Sequence, residues 1–215
     1  MNRTSPPISL AGSQLGELRH VCALFANDAE EYRVLLPFVQ EGFTCGDRAV
    51  HIVNPLQRQE HLSRLAAKGI DTTAHQHSGQ LQVHNNTEVY LRDGRFDQER
   101  MLATFEQMAA ATRTAADFPA NRIVCRMDWA SGHPSRIEDV IEFESRVNEV
   151  WDRYDDAVIC TYHLGQFRGD DIMNIMRTHP MVIIGGLLQQ NPFFARPEEF
   201  LREYRGQRVG ARANN

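Results

Sequence analysis

The sequence predicts an α/β protein of three layers, with a mainly parallel sheet covered by helices on both faces. Short apolar runs that read as strands alternate along the 215 residues with longer segments of helical periodicity. Strands separated by helices need crossover connections, and those produce parallel pairing. The runs Ile123-Val124-Cys125-Arg126-Met127 and Ala157-Val158-Ile159-Cys160 are almost continuously apolar, as strands buried on both faces are. From Arg19 to Tyr32 the chain reads as an apolar strand, a tight turn and the start of a helix, the place where many α/β proteins hold a phosphate. This turn has neither glycine nor lysine, and Asp28, Glu30 and Glu31 occupy the positive end of the helix. A phosphate there would meet like charge.

Each element follows from local signals. Residues 1–16 are polar with Pro and Ser and read as a flexible leader. His20–Phe25 is the first strand, residues 29–41 a helix, and Gly42 to Gly46 a turn before the second strand, Arg48–Asn54. Pro55 opens a helix that runs to Lys68, and Gly69 stops it. Leu81–His84 is a short strand, and residues 90–96 form a loop turning at Asp93-Gly94. Asp97 caps a helix over 98–115, where Met101, Leu102, Phe105, Met108 and Ala109 share one face. Arg122–Asp128 is a strand, Ser135–Tyr154 a helix, Ala157–Tyr162 a strand and Asp170–Thr178 a helix. Met181–Leu188 is a final apolar stretch and Pro197–Tyr204 a closing helix, with 206–215 a flexible tail. Residues 17–205 thus read as one α/β domain.

A formal net charge of −5 leaves no basic footprint, so direct nucleic-acid binding is not expected. No apolar run is long enough to span a membrane and the first residues lack the apolar segment of a signal peptide, so a cytoplasmic protein is expected. Cys22, Cys125 and Cys160 sit inside apolar strands and Cys45 in a turn, without a Cys-x-x-Cys pair. They read as free thiols and give no disulfide framework or zinc knuckle.

Ligands of such sheets bind beyond the carboxyl ends of the strands. Those ends offer aromatic surface from Phe25, Trp129 and Tyr162 beside the polar groups of Asn27, Asp128 and His163, with His179 just before the last apolar stretch. This is the makeup of a small-molecule pocket; the other reading is that the aromatics only cover the sheet edge. Arg126 and Asp128 lie two apart and share a strand face. They either orient a polar ligand group or form an internal ion pair with a neighbouring helix through Glu142 or Glu144. His75, His77 and His84 read as solvated side chains in a polar, Gln-rich loop and a short strand. His20 and Cys22 share a face of the first strand and could together hold a soft metal or haem, although a histidine satisfied within the protein fits as well. No nucleophile elbow, metalloprotease helix or dinucleotide fingerprint occurs, so no catalytic residue, metal-ligand set or cofactor is assigned.

Further landmarks recur in order: His20-x-Cys22-x-Leu24-Phe25, Gly42…Gly46-Asp47, Gly79-Gln80-Leu81, Tyr90…Gly94-x-Phe96-Asp97, and Arg122…Met127-x-Trp129. Glu144…Asn148, Cys160-x-Tyr162 and His179-Pro180…Asn191-Pro192-x-Phe194…Pro197-x-Glu199-Phe200-Leu201 complete them. Over residues 18–204 this pattern resembles the MEDS family, a sensory domain of methanogen and methylotroph regulators. The resemblance implies a RecA/KaiC-like core without working nucleotide-binding motifs, and the sensing of small molecules such as hydrocarbon derivatives. Family members often sit beside a helix-turn-helix or histidine-kinase module, for which these 215 residues leave no room. The expectation is a stand-alone sensory domain that binds a small, partly apolar ligand and signals through a regulatory protein partner or a change of assembly, including a homo-oligomer. The alternatives are a ligand-free RecA-like assembly module and a degenerate nucleotide-binding enzyme using Asp128 as a metal-holding carboxylate.

Overall fold

The computed structural model describes residues 7–114 and 118–213. A short hairpin, β1 (Ile8–Leu10) and β2 (Ser13–Leu15), precedes the first long strand, β3 (His20–Phe25). Then come α1 (Asp28–Cys45), β4 (Arg48–Val53), α2 (Arg58–Ala67), α3 (Thr72–His77), β5 (Leu81–Asn85) and α4 (Asn86–Tyr90). A two-residue hairpin, β6 (Leu91–Arg92) and β7 (Arg95–Phe96), leads into α5 (Gln98–Thr114) and β8 (Asn121–Arg126). The chain continues through α6 (Pro134–Arg146), α7 (Asn148–Trp151), β9 (Ala157–His163) and α8 (Gly169–Arg177). It closes with β10 (Met181–Ile184), β11 (Leu187–Gln190) and α9 (Pro197–Ala213).

The central sheet has seven strands in the order β11-β10-β3-β9-β8-β4-β5. All neighbours pair in parallel except β11, which returns antiparallel on β10 through Gly185-Gly186, both at positive φ. Alternation along each strand builds two cores. Val21, Ala23, Phe25 and Val124 face α1 and the N-terminal hairpin, meeting Leu35 and Phe38. Cys22, Leu24, Cys125, Cys160 and Tyr162 face the other helical layer, meeting Phe105, Phe143, Ile175 and Phe200. This is the three-layer, mainly parallel architecture expected. No helix among the described residues is long and apolar enough to cross a membrane.

The turn after α1 shows why its residues take the form they do. Gly46 ends the helix in the left-handed region at φ 81°, and its N–H reaches the carbonyls of Gly42 and Phe43. At Gly42 a Cβ would lie 2.6 Å from Arg122 Cδ, so only glycine lets the buried Arg122 pass. Arg122 then reaches Asp47 and Glu41, each at 2.8 Å.

Four expectations change. The leader is folded from Ile8 onward, because Ile8, Leu10 and Leu15 are buried against the α1 layer and Leu188 N–H donates to Ala11 O; residues 1–6 lie outside the described residues. The tail is helical as far as Ala213, as α9 continues past Tyr204. Helix Ser135–Tyr154 is two helices, interrupted at Val147. The Gln-rich segment holding His75 and His77 contains α3, capped by Asp71 Oδ1 accepting from Ala74 N at 2.9 Å.

Candidate functional site

At the carboxyl ends of the strands, the position open to a phosphate in other α/β sheets is closed by the chain itself. Asn27 caps α1 by accepting the Glu30 N–H at 3.0 Å, and Glu30 turns back to accept the Ala26 N–H at 2.8 Å. Two of the N–H groups that could face an anion there are therefore already bonded to side chains. Beyond them Arg126, almost fully buried, reaches Asp28 at 2.5 Å, Glu31 at 3.6 Å and Asp128 at 3.5 Å. His163 Nε2 stands 2.7 Å from Glu31 Oε2. Burial would raise the Asp28 carboxyl, but its bond to Arg126 and the charges of Arg126 and His163 hold it below its ordinary value. Asp128 accepts from Asn54 at 2.8 Å and Asn86 at 2.6 Å. Five strand ends are thus tied into one network, in which three carboxylates share the single guanidinium of Arg126.

A cleft of about 520 Å³ opens beside this network, between the segments that follow β8 and β9. Ser131, His133 and Ile137 form one wall, and Gln166, Phe167 and Arg168 the other. The volume suits a small molecule, and the lining mixes apolar surface with both signs of charge.

A second polar cluster lies on the opposite face of the sheet, wholly inside the protein. His20, Glu144, Cys160 and His179 are each buried, and one ligand-type atom from each lies within 4.8 Å of the others. Burial would raise the Glu144 carboxyl, but His179 and His20 hold it well below the usual carboxylate range. Burial and the neighbouring His20 push His179 down, against the opposing pull of Glu144. Contact with Cys125 and burial raise the Cys160 thiol. Tyr162 donates to Glu144 Oε1 at 2.7 Å and packs its ring against Phe167 at 5.4 Å, so one side chain joins this cluster to the cleft wall.

The seven residues expected to form a pocket are placed apart. Phe25 is fully buried on the α1 face, whereas Tyr162 and Trp129 belong to the other core, with Trp129 stacked on Tyr90 at 4.5 Å. Asn27 is a helix cap, Asp128 and His163 join the Arg126 network, and His179 joins Glu144. None of the seven lines the cleft described above. The ion pair expected between Arg126 and Glu144 or Glu142 does not form. Arg126 shares its strand face with Val124, toward α1, while Glu144 approaches from α6 on the opposite face, and Glu142 pairs with Arg205 and Arg208. The partner of Arg126 within reach of the same strand is Asp128, as expected. His20 faces Cys160 at 3.6 Å, and Cys22 sits across from Cys160 in the β3–β9 register. Sequence reading missed the walls of the cleft, which are loop residues of no distinctive type. It also missed the joining of His20, Glu144, Cys160 and His179, whose only signal is a polar residue inside an apolar run.

The family model described as MEDS, the methanogen/methylotroph DcmR sensory domain, matches residues 19–180. The chain belongs to the MEDS family. Several stretches that carried the resemblance, around His20, Glu144, Cys160 and His179, are those that meet in the buried cluster of this MEDS domain. No curated protein sequence matches it. Among solved structures, the flagellar accessory protein FlaH from Methanocaldococcus jannaschii is similar, at 12% identity and a TM-score of 0.45, over 80% of this chain and 75% of that chain.

Proposed function

We propose that this MEDS domain is a cytoplasmic sensor that binds a small, partly apolar molecule in the cleft after β8 and β9 and carries out no catalysis. The observation that carries the reading is that cleft, in a domain of a sensory family whose phosphate position is filled by its own side chains. Ile137 and Phe167 supply apolar contact; His133, Arg168 and Asp171 supply polar selection. Occupancy would favour one arrangement of the cleft walls and so alter contact with a regulatory protein partner or a second copy, to the extent that the ligand binds one arrangement better. Neither nucleic acid nor membrane is a direct partner in this reading.

Native mass spectrometry of the protein as purified, followed by melting scans against a panel of small hydrocarbon derivatives, tests it. A retained organic mass or a rise in Tm, abolished by Phe167→Ala while the fold persists, is the expected result. No retained mass and no shift across the panel would count against it. A ligand-free assembly role is favoured by one feature, the exposed Ile184 and Leu187 at the outer hairpin of the sheet; loss of self-association in Leu187→Asp would support it.

A further inference from the structure

We propose that His20, Glu144, Cys160 and His179 are the four ligands of one buried divalent metal ion of the zinc type. This inference stands independently of the sensory reading.

The geometry is that of a metal shell. Bond lengths of about 2.0–2.3 Å to nitrogen, oxygen and sulfur give a tetrahedron with edges of roughly 3.3–3.6 Å. Glu144 Oε2 lies 3.2 Å from His20 Nε2, 3.5 Å from His179 Nε2 and 3.7 Å from Cys160 Sγ, and Cys160 Sγ lies 3.6 Å from His20 Nε2.

The surrounding groups turn lone pairs inward. Asn148 uses its amide nitrogen on the carbonyls of Glu144, Ser145 and Thr178, which leaves its side-chain oxygen to accept from His20 Nδ1 at 3.0 Å. His179 Nδ1 is 2.9 Å from the Ile175 carbonyl. With Nδ1 of each ring held against an acceptor, Nε2 of each is the atom turned toward Glu144, and on metal binding the Nδ1–H tautomer is the one these outer hydrogen bonds would fix. His179 is fully buried, and its Nε2 has no hydrogen-bond partner. Tyr162 holds Glu144 Oε1, leaving Oε2 to the cluster. The two Nε2 atoms and Glu144 Oε2 thus converge, and the one proton donor recorded on them is the Cys160 thiol, which points to Glu144 Oε2 at 3.7 Å and is the proton a metal would displace.

Charge supports a dication. On loading, Cys160 loses its thiol proton to solvent and the metal–sulfur bond replaces the S–H bond, with no change of oxidation state. One thiolate, one carboxylate and two neutral imidazoles then balance a charge of +2, so the complete site is neutral where burial makes net charge costly. Imidazole with thiolate suits zinc, and four protein ligands make a closed, structural centre. Such an ion would clasp β3, α6, β9 and the turn after α8 together.

The test uses the full chain. Expressed with zinc supplied, it is expected to hold about one zinc per chain after gel filtration. After unfolding with chelator and refolding with Co²⁺, it should show a strong near-ultraviolet thiolate-to-cobalt absorption. Cys160→Ser should lose that band, and Cys22→Ser and Cys125→Ser should keep it. Should Cys160→Ser fail to fold, X-ray absorption on the zinc-loaded wild type gives the same answer, as one sulfur and three nitrogen or oxygen ligands. The proposal is overturned if the folded chain takes up neither ion, or if the bound ion has no sulfur ligand, or if Cys160→Ser leaves metal content and the cobalt band unchanged. In the first case the cluster is an imidazolium–carboxylate pair.

Discussion

Two pairs of buried histidines lie on opposite faces of one sheet, and they are built differently. On the α1 face the groups are linked in series: Tyr32 OH meets His61 Nδ1 at 2.8 Å, and His61 Nε2 meets His51 Nδ1 at 2.8 Å. On the other face His20 and His179 are parallel in role, each anchored through Nδ1 and each aiming Nε2 at Glu144. A linear chain of hydrogen bonds leaves only its last nitrogen, His51 Nε2, without a partner and gathers no acceptors at one point. A convergent set of acceptors needs something positive at its centre. Burial alone, or one nitrogen without a partner, therefore says little about what a histidine does; what else converges on that nitrogen decides.

The largest expected effect falls on the convergent pair. Glu144→Ala removes the group around which both rings are arranged, and a loss of about 4 kcal/mol in urea unfolding is expected. A loss below about 1 kcal/mol would place Glu144 outside any compensated arrangement.

The serial pair should show itself through acid. Burial, and then the charges of Arg126, Arg58 and Arg64, lower His61 to about 4, and burial with His61 beside it lowers His51 well below its ordinary value. Tyr32 and Glu31 complete the polar groups around the pair. A folded value below the unfolded value means that the native state binds fewer protons between the two. The stability is therefore fully present above about pH 6.5 and is lost as pH falls toward about 4, by about 3 kcal/mol for His61. In His61→Gln the pH dependence of the denaturation midpoint should flatten by about one proton over this range; an unchanged slope would mean that His61 titrates normally.

At the strand ends the same contrast can be probed with a cation already supplied by the chain. Arg126→Leu leaves Asp28, Glu31 and Asp128 without their guanidinium, and a loss of about 2 kcal/mol is expected because Asp28 retains some solvent. The deficit should shrink when Asp28→Asn is added. The smallest effect is that of the helix cap: Asn27→Ala should cost about 1 kcal/mol. It should not create an affinity for ATP, since Glu30 still holds the Ala26 N–H; a Tm rise with millimolar magnesium-ATP in either variant would reopen the nucleotide reading.

The strands were the most legible part of the molecule, because burial on both faces writes itself as uninterrupted apolar runs such as those of β8 and β9. The acidic start of α1 was legible too, in Asp28, Glu30 and Glu31 and in a turn without glycine or lysine. Short elements were not: Ile8, Leu10 and Leu15 are too few to show a period, yet they seal one core. Pairing across the sheet was also hidden. Strand alternation places Arg126 toward α1, but only the known positions of α1 and α6 tell that Asp28, and not Glu144, is within reach. Trp129 at a strand end reads equally well as a pocket wall or as core, and its stack on Tyr90 belongs to the core. His20, Glu144, Cys160 and His179 lie far apart in sequence, on separate elements, and their meeting depends on strand order together with the packing of α6 and the turn after α8 on the sheet.

The most direct test of the contrast between the two histidine pairs is anomalous diffraction at the zinc edge from crystals of the full chain grown without chelator. A single peak bounded by His20 Nε2, Glu144 Oε2, Cys160 Sγ and His179 Nε2, with none between His51 and His61, is the predicted result. Well-ordered density for all four side chains with no anomalous signal among them would contradict it.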